Sequence, residues 1–425
     1  MPTTRREFLK GAGAAAGALA GLRPAAAQPR PGVPGDPVKI GVLASRAGVT
    51  APVGQAGLRA TEWWAERVNH GGGILGRRVQ LVVEEETNPK DTVERFRKLV
   101  LQEKVDVAVG VISTGVSLAL GAVVEEMDTP WLAWDGTTQK GVEETIPRPR
   151  WAFRSVDNEV EAIVAGILTA KYFKGVRTIA GINNDYSYGH DCWAAYQAVL
   201  KRYGLEVKPV LELFPKLGET NFTSHIAAIQ QARPDLLMCS FWSADATIFM
   251  KQAAAVGLLR GMKGVFTTAG GVHDSLKKEF TPEGLLLGYN SMYFDDPKGS
   301  PLLRQFVQEY RARHGEYPAY ECDHAYFCVE SYRAAVEKAA RAAGGRWPEK
   351  AAVAKALEGI EVESLSGRRA WREDHIQTCN FYQGITTHRN AYDFVTIDPV
   401  EVVSTRTAMK PPGAKLFDWI ASWKI

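Results

Sequence analysis

Two loops of the sequence carry hydroxyl and backbone groups that suit the binding of an anion. In the stretch GVISTG, a predicted strand ends and a helix begins at Ser113 and Thr114. Their hydroxyls and the N–H groups of the first helical turn together form a suitable cradle for a carboxylate. In the stretch WLAWDGTTQKG, the backbone of Gly136 and the hydroxyl of Thr138 offer further donors at another strand end. Ser and Thr in such places also cap helices, so binding and capping both stay open.

Residue patterns of catalytic and metal sites are absent from the sequence. It contains no H-E-x-x-H, no Walker phosphate loop, no G-x-S-x-G and no cysteine spacing typical of zinc. The eight histidines are scattered, and the acidic run EEET at residues 84–87 is interpreted as a solvated strand end. The five cysteines lack C-x-x-C spacing and are expected to be packed thiols. We therefore expect a protein that is not an enzyme and that holds no cofactor and no metal.

The first residues, TTRREFLKGAGAAAGALAGLRPAAAQ, have the order of features that is typical of an export signal. The twin arginines Arg5 and Arg6 precede an apolar run at residues 11–22 and a small-residue site at residues 25–27. A membrane-spanning helix needs about 20 apolar residues, so this run is too short to be one. We expect residues 1–27 to be a cleaved twin-arginine signal peptide. The mature protein would then work outside the cytoplasm without membrane insertion.

The charge of the chain argues against nucleic acid as a partner. The 425 residues include 51 Lys and Arg and 48 Asp and Glu, for a formal net charge of +3. Residues 1–27 hold four basic residues and one acidic residue, so the remainder has a net charge of zero. Binding to nucleic acid or to an anionic membrane would need a basic face. We therefore expect neither partner.

The elements that position the two loops alternate between strand and helix. After a Pro-rich linker at residues 28–37, the β-rich runs VKIGVL, VQLVVEEE, VDVAVG and PWLAW alternate with amphipathic stretches such as residues 92–104. A second series begins near Arg154 and has the strand-like runs VRTIAGI, LEVKPVLELF, DLLMCSF and GVFTTAG. This order is typical of α/β proteins in which a parallel sheet is covered by helices on both faces.

Two α/β halves of comparable size predict two lobes, each built on a doubly wound sheet, with a ligand cleft between them. A single hydrophobic core seldom exceeds roughly 250–300 residues, which also favours two lobes. After the second series, helices are predicted at residues 301–314, 323–343 and 349–359, and the strand-like pieces CNFYQGI and YDFVTI follow. We assign residues 38–156 and 287–360 to the N-terminal lobe, residues 157–286 and 361–400 to the C-terminal lobe, and residues 401–425 to a C-terminal tail.

Several segments, in this order, resemble the leucine/isoleucine/valine-binding protein family, the type I periplasmic receptors of ABC importers. They include VKIGVLASRAGVTAPVGQAGLRATEWWAERVNHGGGILGRRVQLVVEEETNPKDTVERFRKLV, VDVAVGVISTGVSLALG, NNDYSYGHDCW and PDLLMCSFWSADATIFMKQAAAVGL, and the resemblance covers roughly residues 38–395. It implies the type I periplasmic-binding-protein fold, with two hinged Rossmann-like lobes and parallel-core sheets. It also implies capture of a small solute in the periplasm for a permease in the inner membrane. A sensory receptor of the same fold is the alternative, and an exported hydrolase is disfavoured by the missing nucleophile motif.

The resemblance implies which residues hold a ligand's carboxylate. In family members, the loop that corresponds to GVISTG grips this carboxylate, which implies the role for Thr114 and, beside it, Ser113. The loop in WLAWDGTTQKG then supplies the Gly136 backbone and the Thr138 hydroxyl as second donors to the same group. Ligands of such sheets bind outside the carboxyl ends of the strands, which favours binding over capping at these positions.

The sequence departs from the family where amino-acid-binding members recognise the ligand's ammonium. Those members carry an acidic residue at the position of Ala269, and alanine can accept no hydrogen bond. A buried ammonium without a partner costs several kcal/mol, so we expect another acid to replace this residue or the ligand to lack an amine. Asp245 and Asp135 are the candidate replacements, because they lie close in sequence to other predicted ligand-binding residues.

Aromatic residues of the two lobes are expected to surround the rest of the ligand. Tyr188 and Trp242 fall where the family places aromatic residues against the bound solute, although core packing is the commoner role of such residues. Trp134 lies beside the first-lobe loop and is a further candidate. With a carboxylate cradle, tryptophans and no acid at position 269, the sequence favours an aromatic or other hydrophobic carboxylate as the ligand.

Overall fold

The computed structural model describes residues 35–146, 148–155 and 159–424 of the chain. The predicted signal peptide at residues 1–27 and most of the predicted linker at residues 28–37 lie outside the described residues. In the described part, no helix is both long enough and apolar enough to cross a membrane. The described residues form two α/β lobes, each built on one large sheet with helices packed against it.

The first lobe is built on a five-stranded parallel sheet with the strand order β2-β1-β3-β4-β5. Its strands are β1 (Val38–Ala44), β2 (Val79–Glu85), β3 (Val107–Gly110), β4 (Trp131–Ala133) and β5 (Ala152–Phe153). The helices between them are α1 (Ala51–His70), α2 (Pro89–Leu101), α3 (Thr114–Val124) and α4 (Gln139–Thr145). The sequence VAVG of β3 is buried along its whole length, as expected for a parallel sheet that is covered on both faces.

The second lobe is built on a seven-stranded mixed sheet with the order β15-β14-β10-β9-β8-β6-β7. Its parallel strands are β6 (Thr178–Ile182), β7 (Lys208–Leu213), β8 (Leu236–Cys239), β9 (Lys263–Phe266) and β10 (Leu286–Gly288). Its helices are α5 (Glu159–Tyr172), α6 (Ser187–Arg202), α7 (Thr223–Ala232) and α8 (Ser243–Ala255). The late strands β14 (Asn380–Thr387) and β15 (Thr396–Ser404) return to this sheet and pair antiparallel at its edge. The predicted pair of lobes with parallel-core sheets is confirmed.

The segment between β10 and β14 consists of three helices and a small antiparallel sheet. The helices are α9 (Pro301–His314), α10 (Glu321–Ala342) and α11 (Lys350–Leu357), and the sheet holds β11 (Glu361–Ser364), β12 (Gly367–Trp371) and β13 (Gln377–Thr378). The tail contains α12 (Thr405–Ala408) and α13 (Leu416–Ser422). Strands β11–β13 do not join the sheet of the second lobe in the described residues. The predicted assignment of chain segments to lobes stays a prediction.

The bounds of α9 follow from its sequence, which explains why the predicted helix at residues 301–314 agrees with the structure. Ser300 is the N-cap, and its hydroxyl accepts a hydrogen bond from the Leu303 N–H at 3.0 Å. Pro301 fits the first helical turn, where its missing N–H costs nothing. Gly315 ends the helix with a φ of +74°, a left-handed conformation that glycine adopts without strain.

A buried ion pair ties α10 to the small third sheet. The Arg369 guanidinium of β12 and the Asp323 carboxylate of α10 are 2.6 Å apart, and the two side chains are 1% and 0% exposed. The hydroxyls of Ser364 and Ser366 donate to the same carboxylate at 2.5 and 2.6 Å. Burial raises the pKa of Asp323, but the guanidinium and the two hydroxyls outweigh it and hold the pKa below its usual value. This pair therefore stays ionised inside the protein.

Replacement of Arg369 by Met should lower the free energy of unfolding by about 3–5 kcal/mol, because Asp323 then stays buried without a charged partner. Guanidinium-induced unfolding, followed by circular dichroism, measures this change. The matched control is Arg368→Met in the same strand, since Arg368 is 69% exposed and pairs with Glu361 at the surface. The control should cost less than about 1 kcal/mol. An equal loss in both variants would contradict the role of the buried pair.

Candidate ligand-binding site

The loop between β3 and α3 presents hydrogen-bonding groups at the carboxyl edge of the first sheet. Ser113 is the N-cap of α3, but in the described residues its side chain makes no cap hydrogen bond. The Thr114 hydroxyl is buried and has no hydrogen-bond partner among the residues that the structure describes. A Cβ at Gly115 would find only the Ser113 hydroxyl within 4 Å, so the space beside the first turn is open. These features suit the binding of an anion.

Glu86 supports this loop from behind. Its carboxyl group accepts hydrogen bonds from the backbone N–H groups of Ile112 and Ser113 at 2.9 Å each. Burial raises the pKa of Glu86 to about 8, and the two backbone hydrogen bonds oppose that rise. The interpretation of residues 84–87 as a solvated strand end is wrong for Glu86, which is only 4% exposed. Glu86 directly follows β2, so its position at the carboxyl edge of a parallel sheet was the sequence signal for this role.

The loop after β4 contacts the β3–α3 loop closely. Gly136 has a φ of +74°, and a Cβ at this position would lie 2.5 Å from the carbonyl carbon of Ile112, so glycine is required here. The Gly136 N–H donates to its neighbour Asp135 at 2.8 Å. The Thr138 hydroxyl donates to Asp191 at 2.8 Å and accepts from the Gly141 N–H as the cap of α4. Both predicted second donors thus have protein partners, and their roles as ligand contacts stay predictions.

The carboxyl edges of the two sheets face each other, and polar contacts join them. Thr138 belongs to the first lobe, whereas its partner Asp191 lies in α6 of the second. The Ser243 hydroxyl at the start of α8 donates to the Val49 carbonyl of the first lobe at 2.6 Å. The residues at these edges are therefore enclosed between the lobes, where a small solute can be separated from water.

Aromatic side chains form one wall of this interlobe cleft. Tyr188 is buried, and its hydroxyl donates to the Glu161 carboxyl group at 2.5 Å. The Trp242 indole N–H donates to the Tyr186 hydroxyl at 3.0 Å, and the rings of Tyr186 and Tyr188 are 5.8 Å apart. From the other side, the Tyr320 hydroxyl lies 3.4 Å from both Asp135 and Thr268. We call Tyr186, Tyr188, Trp242 and Tyr320 the aromatic wall.

The remaining predicted residues take different places. Ala269 is buried at the start of a 3-10 turn, beside Thr268. Asp245 accepts hydrogen bonds from the Asn184 side chain and the Gly218 N–H, both at 3.0 Å, so it supports loops of the second lobe. Trp134 packs its ring against Gly57 of α1, which is a core contact behind the cleft.

Two acids that the sequence did not single out lie beside Asp135 in the cleft. Glu161 in the first turn of α5 contacts Tyr188, Asn290 and Thr268, and burial raises its pKa to about 8. Glu321 is the first residue of α10, and burial raises its pKa well above the usual range. In the described part of the chain, no group of three or more His, Cys, Asp or Glu side chains is arranged to hold a metal ion.

Comparison with known proteins gives relatives over most of the chain. Residues 37–384 match the protein family described as "Periplasmic binding protein". The "Leu/Ile/Val-binding protein homolog 7" of Brucella suis is 25% identical over 314 residues, which cover 71% of this chain and 74% of the relative. The "Amino acid binding protein" of Pseudomonas aeruginosa is 25% identical over 335 residues, which cover 79% of this chain and 86% of the relative.

A solved structure has a similar fold. It is the ABC transporter solute binding protein of Rhodopseudomonas palustris in complex with 3,4-dihydroxy benzoic acid. The superposition covers 89% of this chain and 99% of that protein, with a TM-score of 0.77 and 21% sequence identity. At this identity the likeness concerns the fold.

Replacement of Thr114 by Val should leave the free energy of unfolding of the unliganded protein unchanged or raise it by about 1 kcal/mol. The change removes a buried hydroxyl that lacks a partner and keeps the volume of the side chain. The matched control is Thr169→Val, because the buried Thr169 hydroxyl bonds to the Ala165 carbonyl and Tyr196, both at 2.7 Å. The control should lose about 1–3 kcal/mol in the same denaturation assay. A similar loss in Thr114→Val would show that its hydroxyl is already satisfied.

The stability of the protein should fall as the pH rises from 5 to 8. Glu86 and Glu161 have pKa values raised to about 8, so the folded protein keeps protons that the unfolded chain, with glutamate pKa values of about 4.3, releases. The stabilisation from these protons is fully present below the glutamate pKa of the unfolded chain. It is lost as the pH rises through the pKa of about 8 in the folded protein. Denaturation at several pH values measures the slope, and Glu86→Gln should make it less steep. An unchanged slope in this variant would contradict the raised pKa of Glu86.

Proposed function

Because this chain belongs to the periplasmic binding protein family, we propose that it is an extracytoplasmic receptor that binds a small organic carboxylate and delivers it to an ABC importer. The observation that carries the proposal is the buried Thr114 hydroxyl, which has no partner among the described residues and lies at an open helix N-terminus. A carboxylate supplies the missing acceptor and matches the positive end of the helix dipole.

The enclosed position of this helix end supports reversible capture of a solute. In the open form the first lobe would offer α3 to the carboxylate, and hinge closure would then bring Tyr186, Tyr188 and Trp242 of the second lobe over the solute. The contacts Thr138–Asp191 and Ser243–Val49 hold the lobes together in the closed arrangement. Closure excludes water, which strengthens the hydrogen bonds to the carboxylate.

The aromatic wall favours a solute with an apolar or aromatic body. Trp242, Tyr186, Tyr188 and Tyr320 present ring faces and edges together with hydroxyl groups, which suits flat ligands with polar ends. The aromatic acid in the Rhodopseudomonas palustris protein supports this class of ligand, and the names of the Brucella and Pseudomonas relatives support amino acids. All of these solutes have a carboxylate in common.

Export by the twin-arginine route completes the proposal. The predicted signal at residues 1–27 would bring the folded protein to the periplasm, where the family meets its solutes. Delivery to a permease in the inner membrane follows from the family's association with import.

A thermal-shift screen of the mature protein, unfolded and refolded to remove bound solute, tests the receptor function. The panel should contain aromatic acids, aliphatic acids, amino acids and matching amides without a carboxylate. A carboxylate with micromolar affinity, added at millimolar concentration, should stabilise the protein by about 4 kcal/mol. Thr114→Val should weaken its binding by about 1–3 kcal/mol, whereas the control Thr169→Val should bind it normally. Equal stabilisation by acids and amides would contradict the carboxylate cradle.

A further inference from the structure

A buried carboxyl group lies behind the loop that would hold the carboxylate of the solute. Glu86 follows β2 and is almost completely inaccessible to solvent. It accepts hydrogen bonds from the N–H groups of Ile112 and Ser113, each at 2.9 Å, and Thr114 is the next residue of the same loop. An anion that binds at the Thr114 hydroxyl is therefore only one residue away from a backbone N–H that Glu86 already holds.

Glu86 has no positively charged partner in the part of the chain that the structure describes, since its hydrogen bonds come from backbone N–H groups. The charged side chains that act on it are both acidic, namely Asp135 in the loop after β4 and Glu85 in β2. Glu85 is paired with Arg46 at 2.8 Å, so its charge is partly neutralised. A buried carboxyl group in such surroundings gains little from ionisation.

A bound carboxylate would add a further negative charge to this region. The loops after β3 and β4 are in direct contact, because a Cβ at Gly136 would lie 2.5 Å from the carbonyl carbon of Ile112. The N-terminus of α3 offers the equivalent of about half a positive charge, which suits one anion but not two. Two like charges in a site without water repel strongly. A proton on Glu86 removes this repulsion, and the carboxyl group can still accept hydrogen bonds from the loop.

We propose that Glu86 carries a proton whenever the carboxylate of the solute is bound at α3, so that the solute and the proton bind together. This inference rests on the proposed receptor function and adds a control of affinity by pH. Glu86 acts through the backbone N–H groups of Ile112 and Ser113, which makes it a positioning residue of the carboxylate cradle.

Proton uptake makes the affinity depend on pH in one direction. Burial raises the pKa of Glu86 to about 8 in the unliganded protein, and a neighbouring anion raises the pKa further. At pH 7 the group is therefore mostly protonated with or without the solute. Above pH 8 it is mostly ionised in the empty protein only, so the solute can bind only together with a proton. The affinity should consequently fall as the pH rises from 7 to 9.

Isothermal titration calorimetry of the refolded mature protein at pH 7 and pH 9 tests this linkage. The probes are benzoate, 3-phenylpropanoate and leucine, together with the carboxylate that stabilises the protein most in the thermal-shift screen. The dissociation constant should rise about tenfold, because a group with a pKa of about 8 falls from about 90% to about 10% protonated. At pH 8, the binding enthalpy should differ between phosphate and Tris buffers, which supply about half a proton per bound solute.

The variant Glu86→Gln keeps the shape of the side chain but cannot ionise. Its dissociation constant should change less than about twofold between pH 7 and pH 9. Any titration of the solute itself is the same for both proteins and cancels in the comparison. The matched control is Glu85→Gln, because this neighbouring carboxylate pairs with Arg46 nearer the surface. Glu161→Gln is a second control, since burial raises the pKa of this acid to about 8 as well. Both controls should retain the tenfold change.

The outcomes distinguish the inference from the function on which it rests. If the probes bind equally well at both pH values, or if Glu86→Gln keeps the tenfold change, the inference is wrong and the receptor function stands. Thermal unfolding shows whether each variant is folded. If Glu86→Gln does not fold, the proton uptake of Glu161→Gln decides: retained uptake supports the role of Glu86, and lost uptake overturns it. If no probe binds at either pH, the proposed function itself fails.

Discussion

Closure of the two lobes buries polar groups that the protein does not pair with one another, and the site depends on this constraint. Thr114 at the start of α3 and Glu321 at the start of α10 are almost completely inaccessible to solvent. Within the described residues, the Thr114 hydroxyl meets no hydrogen-bonding partner, whereas the Glu321 carboxyl group is hydrogen-bonded to Tyr320. A buried hydroxyl without a partner is costly in a finished fold, because its hydrogen-bonding capacity is lost to water and not regained in the protein. A carboxylate held between the closed lobes would remove this cost, which links the proposed binding to closure.

Specific contacts fix the elements behind the site. Glu86 fixes the β3–α3 loop through two backbone N–H groups, and Gly136 lets the next loop approach the same backbone. The Arg369–Asp323 pair joins α10 to the small third sheet, so the helix that carries Glu321 is anchored at its first turn. The elements that carry Thr114 and Glu321 are therefore fixed in place by these contacts.

The sequence predicted those features that depend on local pattern. The alternation of strands and helices predicted the two lobes. The N-cap Ser300 and the C-cap Gly315 explain where α9 begins and ends. The loop with Ser113 and Thr114 was found because polar residues that follow a parallel strand lie at the binding edge of the sheet. Resemblance to the family added Tyr188 and Trp242, which the structure brings together through Tyr186.

The missed residues depend on tertiary packing. Glu161 and Glu321 lie in the first turns of helices, where acidic residues are common for the sake of the helix dipole, so their types carried no signal of a site. Their burial appears only in the folded chain, where tertiary packing encloses both carboxyl groups. Likewise, the sequence allowed the Thr138 hydroxyl to cap a helix or to bind a ligand. Only the folded chain shows that this hydroxyl also donates a hydrogen bond to Asp191 of the other lobe. For Glu86, the run of acidic residues predicted a side chain exposed to solvent. The chain after β2 instead directs this one side chain into the protein.

The five cysteines, all free and buried among the described residues, bear on where the chain can fold. A protein without cross-links needs no oxidant to reach its native state, so the reducing cytoplasm is a suitable compartment for its folding. Burial also raises the pKa of each thiol and keeps the sulfurs out of reach of oxidants, so they resist oxidation in an oxidising compartment as well. The native state of the described residues therefore depends little on the redox state of its surroundings.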